Sequence, residues 1–342
     1  MADPSTKYCQ NGETVGRIRK GMEARAGPTA GGDQVIVAQD THTSDITAAC
    51  GKSVELRLLG KRIPEATEAL FCGQLFHEAV GLAHKSKLND FLTTPAECVE
   101  SALTVVLEGF KKEGRTLSRA VVASMDDHKA TVVDWIKNYI DRFAAEFATA
   151  KLIGVEVPCR WSLDVDGEVE DFASHLDLLY RTADGALVLW DWKSGAEAPS
   201  TEFLIRNLQM GLYHLALKYG SIMLDGQWVE MEEHPVIEWI HVRYLMPYGR
   251  KVTTKDEDGV ETTYAKGDTR PRNKVVIPAT VTEAGEQALV NELSLRVRMK
   301  RLGLYPTNPS EQGCRLCESR RWCPNWTDSY EKVRVEISHA SV

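Results

Sequence analysis

Ser174-His-Leu-Asp177-Leu-Leu-Tyr-Arg-Thr182-Ala-Asp184-Gly185-Ala-Leu-Val-Leu-Trp-Asp191-Trp-Lys193-Ser-Gly195 is the stretch on which the reading of this chain turns. Two apolar runs flank a polar Thr-Ala-Asp-Gly segment, the pattern of a β-hairpin. With the turn centred on Asp184, Asp177 and Asp191 stand seven residues to either side and face each other across the ladder. Directly opposed residues carry Cβ atoms about 5 Å apart, and two carboxylates that close repel unless a cation lies between them. Lys193 shares the face of Asp191, because strand side chains alternate. The hairpin therefore presents two acids and a lysine together. Paired carboxylates supply both the oxygen ligands and the charge balance that Mg²⁺ or Mn²⁺ requires.

Composition limits what can surround that hairpin. The 342 residues are 43% apolar and 26% charged, the balance of a globular protein with a sizeable core. The chain has no run of about 18 apolar residues, so no membrane span is expected. The opening Met-Ala-Asp-Pro-Ser-Thr-Lys lacks an apolar h-region, and the expected setting is cytoplasmic. Net charge is −8, which argues against a protein that coats nucleic acid indiscriminately. Residues 241–330 nevertheless hold 15 Lys+Arg against 11 Asp+Glu, so this part of an otherwise acidic chain is mildly basic and compatible with a local nucleic-acid groove.

The chain divides into a polar, Gly-rich leader at 1–41 and one domain at 42–330. Helical sequence fills 42–150, with helices predicted from about Ser44 to Leu59, Glu65 to His84, 96–112 and 118–149. These are expected to form an insertion or cap ahead of the sheet. The sheet core spans 151–247, with strands at 153–161, 168–180, 186–193 and 236–246 and a helix at 200–219. Residues 248–275 are charged and dotted with glycine, an exposed hairpin or loop. A helix at 282–302 leads into the cysteine-rich end of the domain at 282–326. Cys50-Gly-Lys-Ser53 imitates the close of a phosphate-binding loop, but Ile46 stands where the motif needs a glycine, which rejects an ATP site.

Three further groups bear chemistry. His77 lies on the 65–84 helix, four residues after Gly73, and an imidazole there can join a carboxylate metal site. Gln209 and Tyr213 share a helical face through their i,i+4 spacing, close enough after Lys193 to look into the same cleft. Cys314-Arg-Leu-Cys317 followed by Cys323-Pro324 forms a clamp for a thiophilic metal, one thiolate short of the usual four. Cys9, Cys50, Cys72, Cys98 and Cys159 are the candidates for the fourth.

In order and spacing these motifs resemble the RecB-like branch of the PD-(D/E)XK nucleases, notably the CRISPR-associated RecB-like exonucleases and their phage relatives. The likeness covers roughly residues 42–326. Gly73-x-x-x-His77 is similar to the first motif, Glu156 in Gly-Val-Glu-Val-Pro to an acidic strand position, Asp177 to the second motif and Asp191-Trp-Lys193 to the third. Gln209-Met-Gly-Leu-Tyr213 is similar to the family's Gln-x-x-x-Tyr helix motif. Ser174 stands where the second motif usually has glycine. The resemblance implies Cys50, within Ser44-x-x-x-x-x-Cys50, as the fourth ligand of a [4Fe–4S] cluster with Cys314, Cys317 and Cys323.

What the resemblance implies is an α/β, restriction-endonuclease-like core, with a mixed central sheet flanked by helices and an iron–sulfur segment at its C-terminal end. The implied activity is that of a metal-dependent exodeoxyribonuclease, trimming DNA ends with single strands favoured, in recombination or repair. Asp177, Asp191 and His77 would hold Mg²⁺ or Mn²⁺, with Glu156 a secondary ligand. Lys193 would activate or position water, and Gln209 and Tyr213 would orient the phosphate. DNA is the implied partner, with a helicase or annealing protein beside it, since no helicase motif is present. The rival readings are a non-catalytic DNA-binding or recruitment subunit on the same fold, a structure-specific endonuclease, and a zinc-stapled scaffold.

Overall fold

The computed structural model describes residues 17–18, 46, 48, 50–61, 65–88, 94–195, 200, 204, 207–255, 259–306, 314, 317, 319, 322 and 323. The leader read at 1–41 lies outside them, apart from a two-residue strand, β1 (Arg17–Ile18), paired with Asp164 and Leu163. The helical half then runs α1 (Gly51–Leu58), β2 (Glu65–Ala66), α2 (Glu68–Leu88), α3 (Pro95–Lys112), β3 (Thr116–Leu117), α4 (Arg119–Ala123) and α5 (Met125–Thr149). Three long strands follow, β4 (Lys151–Val165), β5 (Glu168–Arg181) and β6 (Leu187–Lys193). After α6 (Leu208–Tyr219) come β7 (Ser221–Leu224), β8 (Gln227–Glu230) and β9 (Val236–His241), with a 3₁₀ turn at Val242–Leu245. The hairpin β10 (Val252–Lys255) and β11 (Glu261–Tyr264), the short α7 (Arg272–Val275), β12 (Val276–Pro278) and α8 (Glu283–Arg301) complete the described elements.

Local chemistry sets these boundaries. Thr94 and Glu97 close a capping box on α3 with Pro95 in the first turn, and Asn207 and Thr282 cap α6 and α8. The helix expected over 118–149 is two helices, because Ser118 caps α4 and Ser124 leaves helical geometry between them. The first helix is shorter than expected: Cys50 has extended backbone and stands at its N-cap. The predicted start of the second helix at Glu65 is instead β2, paired with β3. Strands β7, β8 and β12 escape the sequence reading, although Asp225-Gly226 carries the hairpin signature. Both residues take positive φ, 50° and 77°, as a two-residue I′ turn demands.

The main sheet has the order β12-β9-β6-β5-β4-β7-β8, with β1 added on β4. Its pairings are antiparallel except β6 with β9, whose parallel register needs the crossover through α6 and the β7–β8 hairpin. Helices α2, α3 and α5 pack one face of the sheet and α6 and α8 the other, giving a three-layer αβα architecture with two cores. Burial on both faces explains why β6 reads as an almost unbroken apolar run. The helical half is therefore a layer of the domain and not a cap on it. Phe76, Tyr139 and Phe143 meet Trp190 and Trp192 of the sheet in edge-on and tilted contacts, and Trp135 packs edge-on against Phe76.

Candidate active site

The predicted register of the central hairpin is realised, with Leu178 opposite Trp190 and Arg181 opposite Leu187. On the other side of β5, Val155 pairs with Leu178 and Val157 with Leu176. These registers set Glu156, Asp177 and Asp191 at one level on three adjacent strands. The β5–β6 ladder stops at Leu178 and Trp190, one residue short of the acids. There the Asp177 carboxylate replaces the ladder bond, its Oδ2 accepting the Trp192 N–H at 2.7 Å. Glu156 has φ 49°, a left-handed conformation that costs a non-glycine residue roughly 1–3 kcal/mol and turns its side chain out of the regular strand alternation.

Helix α2 delivers His77 to this level. A side chain at Gly73 would meet Ser194 Oγ at 2.8 Å, so glycine lets the helix lie against the end of β6. One turn on, His77 Nε2 lies 2.7 Å from the Trp192 carbonyl oxygen. A carbonyl only accepts, so Nε2 carries the proton and Nδ1 faces the acids, 3.5 Å from Asp177 Oδ2 and 3.8 Å from Glu156 Oε1. One ligand atom from each of His77, Glu156 and Asp177 lies within 4.8 Å of the others. Burial pulls the imidazole pKa down, but Asp177 and Glu156 outweigh it and leave it raised. These acids favour a proton on His77 Nδ1, which a bound metal would displace.

Asp191 is fully buried. Its Oδ1 accepts Lys193 Nζ at 2.6 Å and the Tyr213 hydroxyl at 3.4 Å, while its buried Oδ2 has no hydrogen-bond partner among the described residues. Burial, with Asp177 adding to it, pushes the Asp191 carboxyl up to about 6 despite Lys193. Asp177 is raised as well, by burial first and Glu156 after it. Burial would drain charge from Lys193, but Asp191 and Asp177 outweigh it, and the side chain stays an ammonium ion. Among the described residues the three carboxylates thus face Lys193 and His77, and a buried acceptor is left over. A divalent cation with hard oxygen ligands and one imidazole suits that deficit. The Asp177 and Asp191 side chains form the closed rear of the site, whereas His77 and Glu156 are 27% and 33% exposed and form its mouth.

Gln209 and Tyr213 also reach the site, but their contacts run to Asp191. Gln209 Nε2 donates to the Tyr213 hydroxyl at 2.6 Å, and that hydroxyl in turn touches Asp191 Oδ1. Burial pushes the phenol well above its usual range, so it remains an O–H donor. Trp239, opposite Asp191 on β9, lies beneath Lys193 with the ammonium 5.6 Å from its ring and was not singled out from sequence. The even apolar spacing of β9 makes this tryptophan read as core.

Gly51 packs against the backbone of Pro306, and Arg296 of α8 donates to the carbonyls of Ile46 and Ala48 at 3.0 and 2.7 Å. These contacts bring the N-cap Cys50 to the C-terminal segment, where Cys317 N–H donates to the Cys314 carbonyl. The Cys317 thiol is pushed up by burial and then by Cys323, Cys50 and Cys314 around it. Cys72 is instead a core residue, its thiol pushed up to about 11 by burial.

A family model described as the PD-(D/E)XK nuclease superfamily matches residues 49–324 of this chain. No curated protein matches it. A solved structure described as the crystal structure of SSO0001 is similar over 80% of this chain and 93% of its own, at 12% identity and a TM-score of 0.29, too loose a likeness to bear an argument.

Proposed function

Since this chain belongs to the PD-(D/E)XK nuclease superfamily, we propose that it is a Mg²⁺- or Mn²⁺-dependent exodeoxyribonuclease that trims DNA ends, with single strands favoured, in recombination or repair. The observation that carries the metal-dependent reading is the His77–Glu156–Asp177 trio beside the orphaned Asp191 Oδ2. His77, Glu156, Asp177 and Asp191 would hold the metal, which supplies a Lewis acid and a water of lowered pKa. Lys193, charged and anchored on Asp191, donates to the attacked phosphate or the incoming water. As an ammonium ion it does not take a proton in the same step. Tyr213 and Gln209 position Asp191, a role one step removed from the phosphate contact expected from sequence. The exonuclease assignment and its pathway rest on the motif order. With no helicase motif in the chain, work on duplex ends would call for a helicase or annealing partner.

The cysteines support a second, structural cofactor. Cys50, Cys314, Cys317 and Cys323 would hold a [4Fe–4S] cluster that staples α1 to the C-terminal segment. No helix among the described residues is long and apolar enough to cross a membrane.

The test is incubation of the purified protein with end-labelled linear and with circular single-stranded DNA, in Mn²⁺, Mg²⁺ or EDTA. Metal-dependent loss of the linear strand alone is expected. Cutting of the circle would make the enzyme an endonuclease, and no degradation under any condition would overturn the nuclease reading in favour of a DNA-binding subunit.

A further inference from the structure

Strands β6 and β9 are parallel, and Lys193 pairs in register with His241, so the chain leaves β9 at the edge of the metal site. Two residues on stands Arg243. Its guanidinium lies over the Trp135 ring of α5, 5.9 Å from the centroid, and close enough to Cys72 on α2 to lower that thiol's pKa. Cys72 precedes His77 by five residues, about 7.5 Å along the helix axis. Arg243 is half-buried, its Nε is shut away from water without an acceptor, and among the described residues no carboxylate pairs with it. A desolvated guanidinium with open donors is a costly arrangement unless an anion completes it.

The segment beyond Arg243 is built from the same materials. Arg270 lies between Tyr244 and Tyr248, 4.4 Å from each ring, and Tyr248 stacks on Tyr264 of β11. These contacts hold the base of the β10–β11 hairpin against the 3₁₀ turn that follows β9, with Arg250, Lys251, Lys266 and Lys274 exposed around it.

We propose that this arm is the track for the DNA backbone, with Arg243 gripping a phosphate one or two nucleotides from the scissile one and the basic base of the hairpin holding those beyond. The proposal rests on the nuclease reading and adds to it where the substrate runs. A backbone track of this kind is indifferent to base sequence, as end trimming requires.

The experiment is fluorescence-anisotropy binding of labelled single-stranded oligonucleotides to the protein in EDTA across a salt series. Arg243→Gln is expected to weaken binding about tenfold for every sequence tried and to reduce the slope of log K against log salt by about one. Arg250→Glu with Lys251→Glu should do the same or more, while Lys112→Glu on α3 should change little. Arg243→Lys, which keeps the charge and loses the fork, should restore most of the slope; it also guards against a fold defect in Arg243→Gln, as do matched melting curves. Wild-type affinity and slope in both arm variants would overturn the track while leaving the nuclease reading intact. An active wild type that loses no more binding from the arm variants than from Lys112→Glu would do so equally. Failure of the nuclease reading is a different outcome, seen as wild-type protein that degrades no DNA with Mn²⁺.

Discussion

At the scale of single residues, the site separates groups that hold charge from groups that aim it. Lys193 is the one ammonium ion beside three carboxylates, so Lys193→Ala should cut DNA turnover by about 10³-fold or more, the scale of losing a charged donor to the transition state. Mn²⁺ binding measured by calorimetry should persist, and unchanged turnover would remove Lys193 from the mechanism. Glu156 stores backbone strain in the left-handed region, which glycine adopts freely. Glu156→Gly should therefore melt no lower than wild type in EDTA. With saturating Mn²⁺ the wild type should gain about 2.7 kcal/mol at a hundredfold excess over Kd, and the variant clearly less. A variant that loses stability in EDTA yet responds fully to Mn²⁺ would make Glu156 structural. Lys193 and the two aspartates were legible in sequence because β alternation and a symmetric turn suffice to place them on one face. Glu156 reads from sequence only as a secondary ligand, and its left-handed backbone takes it out of that alternation.

At the scale of elements, α6 and α8 are clamped by a buried acid. Glu286 accepts His214 Nε2 at 2.8 Å, Lys218 Nζ at 2.7 Å and the Tyr219 hydroxyl at 2.5 Å. Burial alone would raise its pKa, but these donors outweigh burial and hold it at about 2. A carboxyl whose folded pKa lies below its unfolded value stabilises the fold above the unfolded pKa, and loses that contribution as pH falls through the folded one. The melting temperature should therefore fall between about pH 4.5 and about pH 2, and Glu286→Gln should flatten that limb. At neutral pH Glu286→Ala should cost about 3 kcal/mol, because Lys218 and His214 lose a buried partner. An acid limb of equal steepness in Glu286→Gln would assign it to other carboxylates. The helix α6 carries both this clamp and Tyr213, so its seating also bears on Asp191.

At the scale of the whole molecule, the two ends of the matched region meet at the cysteines. A [4Fe–4S] staple predicts brown protein whose visible absorbance and iron content vanish in Cys50→Ala and persist in Cys72→Ala. The entropic gain of closing so long a loop rises only slowly with its length, so the stabilisation comes from metal–thiolate bonding. Loss of the melting temperature alongside the colour is the expected outcome for Cys50→Ala. Colourless wild-type protein with bound zinc would refute the cluster.

The hairpin register and the helix carrying His77 could be read from the chain, because each depends on short-range periodicity or turn residues. The aromatic-rich helices could be recognised as amphipathic but not assigned to a layer, since that depends on which sheet face they cover. Only the tertiary structure decided that Glu156 stands level with Asp177, that Tyr213 serves Asp191, and that Arg243 has no counter-charge among the described residues. Those relations join residues far apart in sequence, and they follow from strand register, close packing and desolvation, which no local pattern encodes.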